Sequence, residues 1–535
     1  MVPQVSICPC RPRLALFGPH HVSTAPRWGR IKRSLRVGAV SCAVGTVATL
    51  RLANLHCRRA TRDRSGRNWS RRSCFQTCNA LSRGHDDQQG DSEVILVVGQ
   101  GHCPWGEAGT EIMSQGLGFQ TPATWRQAAQ HLCKKLRQAV PGLGVDIVDL
   151  EAADHAPRAT LCACVNVPRT TCDRLAQSCR NILILSPAAG DSVDSSAARL
   201  VPRQQTGRSA AEVLQQCEEL WSRQTSEDCL YALLFAVHFA VMPVEFVAQE
   251  PQIDTVEKVF TLCTKCLSEA VAAGLDSEAR ACLACQNGCD VRDQTQMYRC
   301  TVSHESESLA SLVRCFERRS IFDCDARIPD LHFDPLTEFR GNPLSLEAAW
   351  KIMEGHWSLD PSSCSWRPVL GQNPAYDYFP CQFNSWYRDP CGSRGWYDPV
   401  FKVVTLDGRE VWRKRHYRVL PGDVPGSFRL TTEDNGISLR EYWRIVDADD
   451  DLGWAVLHYA GAAPRVGQSY TGSLLVSRDG CLPDAIPSQR IAAAFRRAGV
   501  AKFELYAIHQ GEACLAGGDC GKPPLTEFRS LRRYT

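Results

Sequence analysis

The sequence predicts a multidomain α+β chain: a small α/β unit, then a cysteine-rich helical module, then an eight-stranded antiparallel β-barrel with one packed helix. Three observations carry this. Short apolar runs flank a helical segment just after residue 90. Eight cysteines crowd between Cys263 and Cys324. After Trp366 the texture changes to short alternating runs separated by turn signals. A length of 535 residues suits two to four domains of roughly 100–200 residues each. With 22% charged and 44% hydrophobic residues, the chain is neither a disordered tail nor a membrane bundle.

Charge is unevenly spread. The formal net charge is +3, but residues 1–90 hold 16 Lys/Arg against 3 Asp/Glu, a net of +13, which leaves −10 for residues 91–535. A weakly acidic body lacks the basic face that neutralises phosphates, so no nucleic-acid partner is expected. Met1 to Arg62 contains no acidic residue and eleven Arg/Lys. Acid-poor, Arg-rich composition is that of an organelle transit peptide, and residues 1–90 are read as a plastid targeting segment outside the fold. Val37–Leu50 is an uncharged, small-apolar run. It reads either as a second signal routing the chain to a thylakoid lumen or as part of an unstructured leader, and both readings stand.

Residues 91–250 read as a small α/β domain of unknown role. Glu93–Val98 is a short apolar run ending in Gly99-Gln100-Gly101. Thr124–Val140 has helical periodicity, and Val145–Leu150 and Asn181–Leu185 read as strands. Glycines 99, 101, 106 and 109 lack both phosphate-loop spacings and read as tight turns. Ser186–Ala210 reads as a loop or linker. Cys229–Met242 is apolar apart from His238 but falls short of the roughly 20 residues a membrane span needs, so it reads as a buried helix.

Residues 251–330 form the cysteine-rich module. Cys263-x2-Cys266-x15-Cys282-x2-Cys285 fits a zinc-ribbon template. The residues around these pairs read as helices (Val256–Ala273, Ser277–Cys285) rather than tight knuckles, and four more cysteines would be left over. A disulfide-stapled helical module is the stronger reading, and no metal is expected. A high cysteine count, 28 in all, suits an oxidising compartment.

Residues 331–515 hold the β module. Its runs are Cys381–Tyr387, Val400–Thr405, Val411–Val419, Ser427–Thr432, Ser438–Val446, Trp454–Tyr459 and Ser469–Ser477, with Asp407-Gly408 as a hairpin signal. About eight such strands suit an up-and-down barrel holding one apolar ligand. Asp484–Val500 then reads as a helix with Ile491, Ala494, Phe495 and Ala498 on one face, and Phe503–Ile508 as a last strand. Residues 516–535 form a short basic tail.

Strands, barrel and packed helix follow lipocalin order, and the motifs make the likeness specific. Trp366, Gly371, Asn373-Pro374, Tyr376-Asp377-Tyr378-Phe379 and Cys381-Gln382 stand at the spacing that opens the violaxanthin de-epoxidase lipocalin domain. Trp454-Ala-Val-Leu-His-Tyr459-x-Gly461 and Leu482-Pro483-x-x-Ile486 resemble the same family. Cys285-x3-Cys289, Arg292-x2-Thr295 and the step from Cys300 to Cys315 resemble its disulfide domain. The resemblance covers about residues 260–515, and the α/β unit lies outside it.

The resemblance implies reductive opening of a xanthophyll 5,6-epoxide with ascorbate as co-substrate, in the thylakoid lumen or on its membrane surface. It implies Glu441, at the position of the family's barrel acid, as proton donor. Tyr459 is implied to assist at the ring and Asp377 to stand near the barrel mouth. For Asp377, capping the turn after Asn373-Pro374 is an equal reading. Trp366, Tyr376, Trp386 and Trp443 are implied to line the pocket. Cys381 and Cys514 are implied to form a disulfide, and Cys285, Cys289, Cys300 and Cys315 to belong to the disulfide set with connectivity open. A carboxyl inside an apolar barrel has its pKa raised by desolvation and so can hold a proton in a mildly acidic lumen.

Three departures matter. Glu441 stands where the family has Asp, Asn384 and Tyr387 stand where it has pH-linked histidines, and the acidic C-terminal tail is replaced by a basic one. These departures keep two alternatives alive: a reductant-free epoxide-to-allene tautomerase, as in neoxanthin formation, and a non-enzymatic carotenoid-binding lipocalin. His416 and His458 remain as pH-sensitive candidates. A thylakoid lipid surface and a homodimer are further expected contacts.

Overall fold

The computed structural model describes residues 93–508, apart from 106–122, 156–157, 186–197, 204–208, 223, 245–252, 254, 290–293, 323, 356–363, 374–375, 378, 390–393 and 484. The expected targeting segment, the basic tail and Cys514 lie outside the described residues.

The first elements are β1 (Val94–Val98), α1 (Trp125–Ala139), β2 (Val145–Asp149), β3 (Leu161–Val165), α2 (Arg169–Ser178), β4 (Asn181–Leu185), α3 (Ala210–Ser222) and α4 (Ser226–Ala240). The four strands form a parallel sheet in the order β2-β1-β3-β4. β1 and β3 are buried along their whole length, as strands covered on both faces must be. One face packs Leu96 and Val98 against Leu132 and Leu136 of α1, Leu220 of α3 and Phe235 of α4. The other packs Ile95, Val97, Cys162 and Cys164 against Cys172 and Leu175 of α2. Thr124 starts α1 with a capping box closed by Gln127. No helix among the described residues is long and apolar enough to cross a membrane.

The cysteine module contributes α5 (Val256–Lys265), α6 (Leu267–Leu275), α7 (Ser277–Asn287), α8 (Gln294–Ser303) and α9 (Glu307–Arg318). The helix expected over Val256–Ala273 is broken at Cys266, which is tied by a disulfide to Cys315 on α9. A second disulfide joins Cys285 to Cys300. These bonds take two sulfurs out of the ribbon spacing. Cys289 corrects the expected disulfide set: it is not disulfide-bonded, and its Sγ lies 3.7 Å from Cys300 Sγ.

The remaining elements are a hairpin of β5 (Glu338–Phe339) and β6 (Asn342–Pro343), α10 (Leu346–Glu354), β7 (Arg367–Gly371), β8 (Phe383–Arg388), β9 (Gly395–Val404), β10 (Glu410–Lys414), β11 (Tyr417–Pro421), β12 (Ser427–Asp434), β13 (Ile437–Ala448), β14 (Trp454–Ala463), β15 (Gln468–Ser477), α11 (Ala485–Arg497) and β16 (Tyr506–Ala507). β7 to β16 build one antiparallel sheet of ten strands, ordered β10-β9-β11-β12-β13-β14-β15-β7-β16, with β8 paired to β9. The eight-stranded closed barrel expected from the sequence is corrected on two counts. The run Val411–Val419 divides into β10 and β11 at Arg415-His416, and β16 adds a short strand beside β7. The ladder does not run into a continuous ring; its two ends meet at one isolated bridge, Trp366 with Asn384, through backbone hydrogen bonds of 3.0 and 2.9 Å. Ile491, Ala494, Phe495 and Ala498 of α11 are buried against Leu370, Val456 and Leu475 on the sheet's outer side.

The cysteine module is fastened to the sheet by charge. Arg415 and Arg413 each lie 2.6 Å from the Glu305 carboxylate, and Arg314 lies 2.6 Å from Glu433.

Candidate active site

Residues alternate across a strand, so Glu441, Trp443 and Ile445 share one face of β13 while Arg440, Tyr442 and Arg444 share the other. The first three are buried, and Glu441 is only 5% exposed. The register carries this face across two more strands. Glu441 stands opposite Gly461 and then Tyr470; Trp443 stands opposite Tyr459 and then Gly472.

The two glycines are needed for that arrangement. A Cβ on Gly472 would fall inside the Tyr459 ring, and one on Gly461 inside the Tyr470 ring. A glycine within a strand often marks such a close approach. With the rings laid over bare backbone, Tyr470 Oη reaches back to donate to Glu441 Oε1 at 2.7 Å. Tyr459 Oη reaches forward to donate to Asp377 Oδ1 at 2.6 Å. Trp443 Nε1 donates to Glu441 Oε2 at 2.6 Å, and its ring stacks on Tyr459 with centroids 4.7 Å apart.

Asp377 arrives from the turn after β7. Gly371 makes room for it, because a Cβ there would collide with Asp377 Cβ and its backbone. Asp377 Oδ2 accepts the backbone N–H groups of Gln372 (3.1 Å) and Asn373 (2.7 Å). Both readings of Asp377 therefore describe one side chain, which caps its turn with one oxygen and meets Tyr459 with the other.

The electrostatics follow from burial. Desolvation pushes the Asp377 carboxyl up to about 7 against the lowering effect of Tyr459 and the two backbone donors, and Glu441 adds to the rise. Desolvation also raises Glu441, opposed by hydrogen bonds from Trp443, Tyr470 and Tyr417. The site thus holds two buried carboxyls, both biased toward the protonated form, each gripped by a phenol.

The other expected residues divide. Trp386 is fully buried, stacks on Tyr397 at 4.0 Å and meets Trp443 edge-on at 5.3 Å. Trp366 donates through Nε1 to the Ile352 and Met353 carbonyls at the end of α10. Tyr376 joins an aromatic group with Phe401, Phe379 and Tyr298 of α8. Cys381 is disulfide-bonded. Asn384 accepts from Tyr397 Oη at 3.2 Å, and Tyr387 Oη donates to Asp398 at 3.1 Å. Burial pushes His458 down to about 3, so it stays neutral at pH 5 and above. His416 Nδ1 lies 2.6 Å from Asp398.

Where the sequence predicts a ligand pocket, Trp386, Tyr397, Tyr417, Trp443 and Tyr459 belong to one buried cluster. A cleft of about 710 Å³ lies elsewhere, lined by Phe333, Asp447, Arg490 and Arg497 among others, and takes in neither Glu441 nor Asp377. Tyr470, Tyr417 and Gly472 are site-forming residues that reading the sequence missed, and Gly461 entered it only as part of a motif. Two glycines inside strands otherwise rich in aromatic and aliphatic side chains are the signal that could have found them.

The ring-over-glycine packing makes a prediction. Gly472→Ala forces the buried Tyr459 phenol aside and is expected to cost about 1–3 kcal/mol, the usual price of overpacking. Gly274, in α6 with open space around its Cα, is the control, where alanine should not lower stability. Urea unfolding of the two variants checks this.

A large antiparallel sheet that buries two carboxyls beneath stacked aromatic rings, with one helix packed on its outer side, defines a lipocalin-type domain with an acid–phenol centre. Residues 258–509 match the family described as the VDE lipocalin domain. That stretch, just under half of the chain, supports membership of the violaxanthin de-epoxidase family. Among solved structures, lobster apocrustacyanin A1 is 18% identical, over 35% of this chain and 94% of that chain, with a TM-score of 0.23. Insecticyanin from the tobacco hornworm Manduca sexta is 11% identical, over 36% and 89%, with a TM-score of 0.25. No curated protein matches the chain.

Proposed function

We propose that the chain is a xanthophyll de-epoxidase that opens a carotenoid 5,6-epoxide of the violaxanthin type, with ascorbate as the reductant. The observation that supports this most is Glu441: a buried carboxyl on an aromatic face, held by Trp443 and Tyr470 and biased toward its protonated form. Glu441 hands its proton to the epoxide oxygen as the ring C–O bond breaks. Ascorbate supplies two electrons, a second proton completes water, and the ring carbons are left joined by a double bond. Asp377 and Tyr459 form the second proton-holding pair. The stacked rings of Trp443, Tyr459, Trp386 and Tyr397 part to admit the flat polyene end. A thylakoid-lumen setting, at its lipid surface, belongs to the same proposal.

A second reading draws on the pairing of two carboxyls in one site. One acid and one base suffice to tautomerise an epoxide to an allene without a reductant, and Asp377, near 7, suits the base. Incubation of the full chain with violaxanthin at pH 5 and 7, with and without ascorbate, separates the readings by pigment chromatography. De-epoxidised product that requires ascorbate is expected. Neoxanthin formed without ascorbate would replace the first reading by the second, and bound but unchanged pigment would leave only carriage.

A further inference from the structure

The α/β unit has no part in the chemistry above, yet it touches the site through one buried carboxylate. Glu504 follows α11 in a short 3-10 turn, Lys502–Glu504. Its side chain is 4% exposed. Its Oε1 lies 2.9 Å from Nε2 of His131 on α1, and accepts from Ser226 Oγ at the start of α4 (3.0 Å) and from Gln372 Nε2 (3.1 Å). Its Oε2 accepts from Ala501 N at 2.6 Å. Gln372 is the residue whose backbone N–H also reaches Asp377 Oδ2, sharing that proton with the Ser473 carbonyl. Tyr231, further along α4, donates to the Ser469 carbonyl at the start of β15 (3.4 Å), and the His131 ring meets Phe503 edge-on at 5.3 Å.

We infer that the α/β unit is a built-in cap on the Asp377 end of the sheet, and that His131 and Ser226 are positioning residues which act through Glu504 and Gln372 to hold the Asp377 carboxyl in place. The inference rests on the reading of Asp377 as part of the active site. The contact is built rather than incidental. Ser226 Oγ, Gln372 Nε2 and Ala501 N donate to a carboxylate that burial would raise, and His131 and Lys135 instead bring it down to about 2. An ionised buried carboxylate stays only where its donors are fixed. Charged and titratable groups face this junction from every side: His131 and Lys135 from α1, Glu227 and Asp228 from α4, His458 from β14, and Asp377 itself.

The test follows the Asp377 carboxyl by infrared difference spectroscopy across a pH titration of the full chain, with Asp377→Asn assigning the band. Amide hydrogen exchange at Gln372 and Asn373 is read in parallel. In Ser226→Ala and in His131→Ala the Gln372 donor loosens. The Asp377 midpoint is then expected to rise by about half a pH unit, as loss of donors to a carboxylate requires, with exchange at residues 372–373 accelerated and that of β13–β15 unchanged. His131→Gln keeps a donor toward Glu504 and is expected to restore the wild-type midpoint. A midpoint that stays put in both alanine variants, or a rise that His131→Gln does not reverse, overturns the inference. No substrate is involved. A chain that shifts its midpoint but never opens an epoxide refutes the proposed reaction and keeps the cap, whereas turnover with no shift refutes the cap alone.

Discussion

Glu441→Gln is expected to lower epoxide turnover by about 10²–10⁴-fold, the usual contribution of a positioned general acid, while the sheet stays folded. Glutamine matches glutamate in size and keeps an oxygen for one of the two donors, Trp443 Nε1 or Tyr470 Oη. The phenol of Tyr470 can turn to accept from the new amide. What glutamine lacks is the dissociable proton. Both the reductive and the tautomerising reactions need that proton at the epoxide oxygen, so both should stop. Glu441→Asp retains the acid but shortens the side chain by one methylene. It should recover part of the rate, limited by the loss of contact with Trp443 or Tyr470. Pigment chromatography gives the rates, and circular dichroism confirms the fold. Full turnover in Glu441→Gln would remove Glu441 from the chemistry.

The residues most legible from sequence were those whose pattern is local. Alternation along Ser438–Val446 and Trp454–Tyr459 placed Glu441, Trp443 and Tyr459 on strands, and β13 and β14 cover both runs. Which face they occupy depends on register, and the register puts Glu441 and Trp443 beside Tyr459 and Tyr470. β3 was missed because Leu161-Cys-Ala-Cys-Val165, though as long as β1 and β4, lacks the run of large β-forming side chains that marks those two. Its burial comes from β1 and β4 on either side. The break at Cys266 was hidden for the same reason: helical propensity runs through it, and the partner that pins it, Cys315, lies 49 residues away. Glu504 is a still more distant case. It reads as a charged residue in a short terminal turn, and only the fold brings Ser226, 278 residues earlier, onto its carboxylate.

The pH dependence of stability should carry the signature of Asp377. Its folded-state pKa of about 7 stands above the ordinary value of 3.8. A carboxyl raised on folding binds its proton more tightly in the native state. Its stabilising contribution is complete below pH 3.8, declines as pH rises from there, and is lost once pH passes the folded value near 7. The gap corresponds to on the order of 4 kcal/mol between pH 4 and pH 8. Asp377→Asn removes the titration. Asparagine keeps an oxygen for the backbone N–H groups of Gln372 and Asn373, while its amide nitrogen can face Tyr459 Oη, which then accepts. The variant should therefore be the weaker fold at pH 4 or nearly equal to wild type there, and should lose far less on moving to pH 8. His458, lowered to about 3, tilts both profiles alike and cancels in the difference, whereas Glu227, raised to about 8 in small part by the Asp377 charge, adds a minor change of its own. Urea unfolding of wild type and Asp377→Asn at pH 4, 6 and 8 measures that difference directly. Parallel profiles would mean that Asp377 is already ionised in the native state, and with it would go the idea that this end of the sheet stores a proton for the epoxide.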